Sequence, residues 1–398
     1  MRALKNSPAA PLEEGQIKLF SNARSHERVW KTFIEVQSQA TTPLLRQLDL
    51  LVCRCAVNIP TIPQPELQKI IVGRPHVVLL GAGTSRAAFP QGEKNGLNLP
   101  LMCDFVDILG LNPILEKFGI DYANRNFEDV YSDLHGQSKY KEARREIEDH
   151  IRHYFVRMEL PDSPTLYDHL VLSLREKDVI ATFNWDPFLF QACARNYTFA
   201  KPPRLIFLHG NVAIGYCADH RIKGPVGGCC SRCGRPFIAS KLLYPVKEKD
   251  YTADPFIDSE WQGLRGALKT AYVFTIFGYS APQSDVEAIK LLKEGWGSPG
   301  QRELEQIEII NTRPEKELAE TWEPFVHSHH YETTSSFYNS WISRHPRRSC
   351  DAVWRQMMDI EFLDDNPIPR SLSFENQLSW YQQLIDAERD ARRSTESG

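Results

Sequence analysis

A chain of 398 residues with a formal net charge of −4 can bury a sizeable core, in one large α/β domain with additions or in two domains. That charge exerts no global pull toward nucleic acid or a membrane surface, and no apolar run approaches the ~18 residues of a spanning helix. The first residues, MRALKNSPAAPLEEGQ, carry no apolar signal core, so a cytoplasmic protein with no membrane and no direct nucleic-acid contact is expected.

Residues 1–24 are polar and without period, and read as an arm. From His26 to Ala56 apolar residues recur at helical spacing (Val29, Trp30, Phe33, then Leu44, Leu45, Leu48, Leu51), which predicts two helices broken near Thr42-Pro43. Pro60, Pro63 and Pro65 mark a linker, giving an N-terminal helical segment over 1–64. His76 to Leu80, HVVLL, is a short continuous apolar run that meets Gly81-Ala82-Gly83-Thr84-Ser85, as a buried parallel strand meets a helix. Glycine there lets backbone approach a pyrophosphate, helped by the helix N-terminus, with Thr84 and Ser85 as hydroxyl donors. The dinucleotide fingerprint G-x-G-x-x-G fails because Arg86 stands at the third glycine. Asp104 sits in helically spaced MCDFVDILG with no second strand to end, which disfavours a dehydrogenase.

The following stretch is mostly helical, with a helix opening at Phe127 and a charged amphipathic one over Lys141 to Val156. It exceeds what a βαβ crossover needs, so an inserted helical subdomain is expected at about 103–175. Four more strands follow: Asp178 to Thr182, ending in Phe183-Asn184-Trp185-Asp186-Pro187; Arg204 to Leu208, ending in His209-Gly210-Asn211; Tyr272 to Phe277, ending in Gly278-Tyr279-Ser280; and Ile307 to Ile310, ending in Asn311-Thr312-Arg313. Each ends in small or polar side chains, which points to one site beyond the carboxyl ends of a parallel sheet.

Nine cysteines is an odd number, and Cys53, Cys55, Cys103, Cys193 and Cys350 lie in segments of packed character, against a disulfide framework. The other four cluster. Cys217-Ala-Asp-His220 and Cys230-Ser-Arg-Cys233 are two ligand pairs with x-x spacing around a Gly-rich turn, as a tetrahedral structural Zn2+ site requires, and Cys229 could substitute for Cys230. A small zinc module is expected at about 214–240. His327, His329 and His330 lack cysteine partners and are not read as a metal site. From Glu315 the chain becomes aromatic-rich, and Ser371 to Arg393 reads as a final amphipathic helix. This helical C-terminal extension, 316–398, either packs on the core or offers a surface for self-assembly or a partner.

In order, Gly81-Ala82-Gly83-Thr84-Ser85, Thr182-Phe183-Asn184-Trp185-Asp186, His209-Gly210, a Cys/His-rich insert, Phe277-Gly278-Tyr279-Ser280 and Ile310-Asn311 resemble the sirtuin signature series, within an NAD-binding domain of about 65–315. The resemblance implies a Rossmann-like fold that binds NAD+ and cleaves its nicotinamide–ribose bond. It places Gly81, Ala82, Gly83, Thr84 and Ser85 at the pyrophosphate, Asn184 and Asp186 at the nicotinamide and its ribose, and His209 as general base. An unperturbed histidine pKa suits that last role. Gly278 and Ser280 would pass near the phosphate and adenosine ribose, and Asn311 would bond that ribose. Asn184 and Asp186 are also candidate helix caps, and Asp285 reads either as a cofactor residue or as a helix start.

The departures are as informative. Deacylating sirtuins follow the glycine turn with a G-I-P-D-F-R-like segment and carry Gln before the Asn, whereas here stand Arg86-Ala87-Ala88-Phe89-Pro90 and Phe183. These differences resemble divergent bacterial sirtuin-like NADases of anti-phage systems. That implies an NAD+ glycohydrolase with water as acceptor, as an effector that depletes NAD+. The alternatives are an NAD-dependent deacylase or ADP-ribosyltransferase, and a non-catalytic nucleotide-sensing subunit. The resemblance also implies a homo-oligomer and a separately encoded ATPase such as a HerA-type translocase, since no G-K-[ST] loop is present.

Overall fold

The computed structural model describes residues 73–396, apart from 247–248, 282–284, 299–301, 303, 324 and 326–330. The helices and linker expected before residue 70 and the three histidines at 327–330 lie outside the described residues. What is described falls into two compact units, one holding a large sheet and the other built on Gly215–Ile238.

The large sheet forms from the five apolar runs read in the sequence. They are β1 (His76–Leu80), β2 (Val179–Thr182) and β3 (Arg204–Phe207), then β7 (Val273–Phe277) and β8 (Gln306–Ile310). All residues of β1, β2, β7 and β8 are buried, as expected of strands covered on both faces. A sixth strand, β9 (Tyr331–Thr334), pairs parallel with β8 at the edge. It lies in the segment read as a helical extension, and its YETT alternation, half-buried throughout, gave no apolar run to signal it. The order is β3-β2-β1-β7-β8-β9, every pair parallel. Counting only these strands in chain order it reads 3-2-1-4-5-6, the doubly wound order of dinucleotide folds, whose direction reverses between β1 and β7.

Register decides what the ends share. Leu80 pairs with both Thr182 and Phe277, Thr182 with Phe207, and Phe277 with Ile310, so five carboxyl ends stand level.

Between β1 and β2 the chain forms helices α1 (Ala82–Ala88), α2 (Phe105–Leu109), α3 (Asn112–Lys117), α4 (Phe127–Leu134), α5 (Lys141–Val156) and α6 (Leu166–Leu172). The predicted insertion is therefore present. Ala143, Ile147 and Ile151 recur at i, i+4 on α5 and are fully buried with Phe105, Phe127, Val78 and Leu80, so its charged face is the solvated one. Asn126 caps α4 through the Asp129 N–H, and Thr165 and Asp168 close a capping box on α6. After β2 comes α7 (Phe188–Asn196). On the other face α8 (Pro255–Thr270) and α9 (Val286–Trp296) pack together, with Trp296 5.5 Å from the Phe274 ring.

The C-terminal helix (Phe374–Glu396) returns to the insertion. Trp380, Tyr381 and Leu384 join the main core, and the Tyr381 hydroxyl meets Ser173 Oγ at 2.7 Å. Arg347 fixes the approach, pairing with Glu388 and donating to the Leu172 and Leu174 carbonyls. The smaller unit carries a three-stranded sheet of β4 (Ile214–Cys217), β5 (Ile222–Pro225) and β6 (Ile238–Ala239), ordered β5-β4-β6.

Candidate functional site

The level strand ends build a cavity of about 520 Å³, within the range of small-molecule and cofactor sites. It lies at the switch point between β1 and β7, where doubly wound sheets bind their ligands. Gly81, Ala82, Gly83 and Ser85, Asn184 and Asp186, His209, and Gly278, Ser280, Asp285 and Asn311 all line it. Thr84 does not.

The glycine segment is the first turn of α1 rather than an open loop, with Gly81 at its N-cap. Its glycines are explained first by protein. Gly81 N–H donates to Phe277 O at 2.9 Å and Gly83 N–H to Gly278 O at 3.0 Å, and a Cβ on Gly81 would stand 2.5 Å from Gly278 O. Thr84 Oγ1 donates to Phe277 O at 2.8 Å and is fully buried, so neither this hydroxyl nor the Gly83 N–H is available to a pyrophosphate. The helix also runs through Arg86, which pairs with Asp104 and donates to Leu99 O, tying α1 to the chain that opens the insertion.

Ser85 is the hub of a buried array. Its Oγ donates to Asp186 Oδ2 at 2.6 Å, receives Asn184 Nδ2 at 2.9 Å, and meets the Tyr167 hydroxyl of α6 at 2.6 Å. Asn211, fully buried, spans the same loop from behind, with Nδ2 donating to Asp186 O at 2.6 Å and Asn184 O at 3.3 Å. Asn184 is thus no helix cap. Asp186 offers only a long 3.4 Å acceptor to Phe188 N, with Pro187 at the cap position. Burial raises the Asp186 carboxyl to about 6, against the Ser85 bond that lowers it.

His209 lies against Phe183, with ring centroids 4.7 Å apart, and stacks on Tyr251, whose hydroxyl is 3.2 Å from Nε2. Gly210 behind it has φ +74°, and a Cβ there would lie 1.8 Å from Lys241 O. The expectation that His209 keeps an unperturbed pKa is corrected. Burial first, and then the Lys249 charge, lower it to about 3, with Asp285 opposing. The imidazole is neutral across the physiological range, an acceptor of low proton affinity.

Lys249 is itself buried in the cavity wall, paired with Asp285 and 3.6 Å from Glu128 of the insertion. Tyr279 donates to the other Asp285 oxygen at 2.9 Å. Asp285 stands at the N-cap of α9 without a side-chain cap bond, so its carboxylate serves the cavity wall. At the far end Asn311 N–H continues the ladder to Thr334 O, its Oδ1 accepts from Arg313 N at 3.1 Å, and Arg313 Nη2 donates to Ser280 O. Sequence reasoning missed Tyr167, Asn211, Lys249 and Tyr251. Asn211 carried a signal as the residue after His209-Gly210; Lys249 sits in a KEKD charge run that reads as solvated surface.

In the smaller unit one ligand atom each from Cys217, His220, Cys230 and Cys233 lie within 4.8 Å of one another. Cys217 Sγ is 3.8 Å from Cys233 Sγ, and His220 Nδ1 is 3.5 and 3.6 Å from the Cys217 and Cys230 sulfurs. Tetrahedral zinc with bonds of about 2.3 Å to sulfur and 2.0 Å to nitrogen has edges of roughly 3.8 and 3.5 Å. The four therefore fit a closed structural zinc site, with Nδ1 as the histidine donor. Cys230 is buried and within the cluster while Cys229 is exposed, which settles the choice between them.

Fold and site together define a doubly wound α/β protein with a ligand cavity at its switch point. No family model and no curated protein matches the chain. Solved structures of Sir2 proteins are similar to it. One reported for the mechanism and regulation of Sir2 enzymes is 12% identical, with a TM-score of 0.33 over 75% of this chain and 97% of that one. A Sir2 homolog–NAD complex is 13% identical, with a TM-score of 0.34 over 75% and 95%. A mutant Sir2 homologue bound to ADP ribose is 13% identical, with a TM-score of 0.31 over 63% and 85%. Likeness at this level assigns no activity to the chain. Among the described residues no helix is long and apolar enough to cross a membrane.

Proposed function

We propose that this chain is an NAD+ glycohydrolase, cleaving NAD+ to nicotinamide and ADP-ribose. The observation that carries the reading is the convergence of three sequence-distant segments on one cavity at the β1/β7 switch point: the Gly81–Ser85 helix start, the loop of Asn184 and Asp186, and His209. NAD+ spans the cavity from the Gly81–Ser85 helix start to Asn311. As the bond between ribose C1′ and nicotinamide nitrogen breaks, its electron pair leaves with nicotinamide and positive charge develops on the ribose. The buried Asp186 carboxylate opposes that charge in a site of low dielectric. Asn184 orients the nicotinamide ribose, and neutral His209 accepts a proton from a ribose hydroxyl or from the attacking water, whose oxygen closes the bond to C1′.

Water as the acceptor is supported by the wall of Leu99, Pro100, Leu101 and Phe105, latched by Arg86, and by Phe183 where deacylating relatives of the motif carry Gln. Cellular NAD+ depletion in anti-phage defence, assembly into a homo-oligomer, and a HerA-type ATPase partner belong to the same proposal. Purified protein is incubated with NAD+, with and without an acetylated peptide, and products are separated by chromatography. Nicotinamide and free ADP-ribose that His209→Ala does not release are expected. Peptide-dependent O-acetyl-ADP-ribose would transfer the assignment to a deacylase, and tight NAD+ binding without turnover to a nucleotide-sensing subunit.

A further inference from the structure

The Ser85 hydroxyl has one proton and two lone pairs, and the array asks it to serve three partners. Asn184 Nδ2 can only donate, so it occupies one lone pair. Asp186 as a carboxylate can only accept, so it takes the Ser85 proton. The remaining contact, to Tyr167 at 2.6 Å, then has one possible direction: Tyr167 donates to Ser85. With Asp186 protonated on Oδ2 the order reverses, and the Tyr167 proton has no acceptor, because its other polar neighbour in the array is the Asn184 amide nitrogen, 3.5 Å away and itself a donor. The array is fully satisfied only with Oδ2 unprotonated, and Oδ1 in turn faces the Phe188 N–H, a donor, at 3.4 Å.

We propose that Tyr167 is a positioning residue: its hydroxyl, supplied by the inserted helical segment, fixes the donor order Tyr167 to Ser85 to Asp186 that keeps Asp186 a carboxylate and turns the Asn184 amide toward Ser85. Tyr167 suits this as a permanent donor. Burial, and then the Asp186 charge, raise its own ionisation far above the ordinary value, and its ring packs against the Phe89 and Phe188 pair at centroid distances of 6.3 and 5.9 Å. The groups facing Asp186 from α1, the Asn184 loop and the Asn211 segment (Ser85, Asn184 and Asn211) are neutral, and Tyr167 of α6 is the titratable group against them. The consequence is that the insertion sets the charge of the reacting loop through one hydroxyl.

The inference rests on the NAD+-cleavage reading for its catalytic consequence but not for its titration. In Tyr167→Phe, kcat should fall about tenfold, the size of one buried hydrogen bond, with KM changed less than about threefold. The acid limb of the pH profile should move up by about one pH unit. Ser85→Ala removes the relay, so Tyr167→Phe added to it should cost nothing further. Infrared difference titration of carboxyl-13C-aspartate protein, assigned with Asp186→Asn, reads the Asp186 midpoint without turnover and should show the same upward shift in Tyr167→Phe. An unchanged midpoint, or additive losses in the double variant, overturns the proposal. An inactive wild type whose Asp186 midpoint still moves would sink the NAD+ reading and leave this one standing.

Discussion

Gly83 and Gly278 meet backbone to backbone: the Gly83 N–H donates to the Gly278 carbonyl at 3.0 Å, and a Cβ on Gly83 would stand 2.9 Å from Gly278 Cα. Gly278 also has φ +65°, with its own missing Cβ 2.3 Å from Thr84 N. The switch point is held open as a cavity above this contact and closed as a seam at it. Gly278→Ala combines a left-handed backbone with overpacking against main chain and should cost about 3 kcal/mol. Urea unfolding measures it; a loss under about 1 kcal/mol would mean that the two turns are not locked together.

Asn184→Ala and His209→Ala should each lower NAD+ cleavage by about 100-fold or more while leaving the melting temperature within a few degrees. Because Asp186 is raised to about 6, it is a carboxylate at pH 7 and gains its proton below pH 6. kcat/KM should therefore fall on the acid side with a limb near that value. His209, lowered to about 3, adds no limb in the same window. A flat profile between pH 5 and 7 would remove Asp186 from the reaction.

Glu308 titrates away from the site. It is fully buried in β8, accepting from Trp341 N–H at 2.7 Å and Thr275 Oγ1 at 2.8 Å, and burial raises it to about 7. The fold binds this proton more tightly than the unfolded chain, so its stabilising contribution is present below the ordinary glutamate pKa of about 4.3 and is lost as pH rises through about 7. Glu308→Gln removes the charge, and the relay through Thr275, His76 and Ser349 can reverse its donors to suit an amide. The variant should be more stable than wild type at pH 8 by about 1–3 kcal/mol, with the difference gone near pH 4.5. Equal stability of the two at pH 8 would contradict a desolvated charge.

Elemental analysis should find one zinc per chain. Cys217→Ser, Cys230→Ser or Cys233→Ser should lose it, and Cys229→Ser should keep it. Zinc lost from Cys229→Ser would place the exposed thiol in the ligand set instead.

The sequence by itself determined five strands of the large sheet, the insertion and the metal-ligand pattern up to the choice between Cys229 and Cys230, because each depends on local pattern. Continuous apolar runs bounded by glycine or polar residues can be little else than buried parallel strands, and paired x-x spacing is a local geometric demand. Tertiary structure alone decided what the polar strand ends do. Whether Thr84 faces a phosphate or the Phe277 carbonyl, whether Lys249 is solvated or buried against Asp285, and which hydroxyl orients Ser85 all depend on partners 193, 36 and 82 residues away. The β9 edge was hidden for a related reason: its half-buried polar residues take their strand identity from pairing with β8, not from their own periodicity. Proton affinities followed the same rule, since Asp186 and His209 are shifted chiefly by burial, which no neighbour in sequence reports.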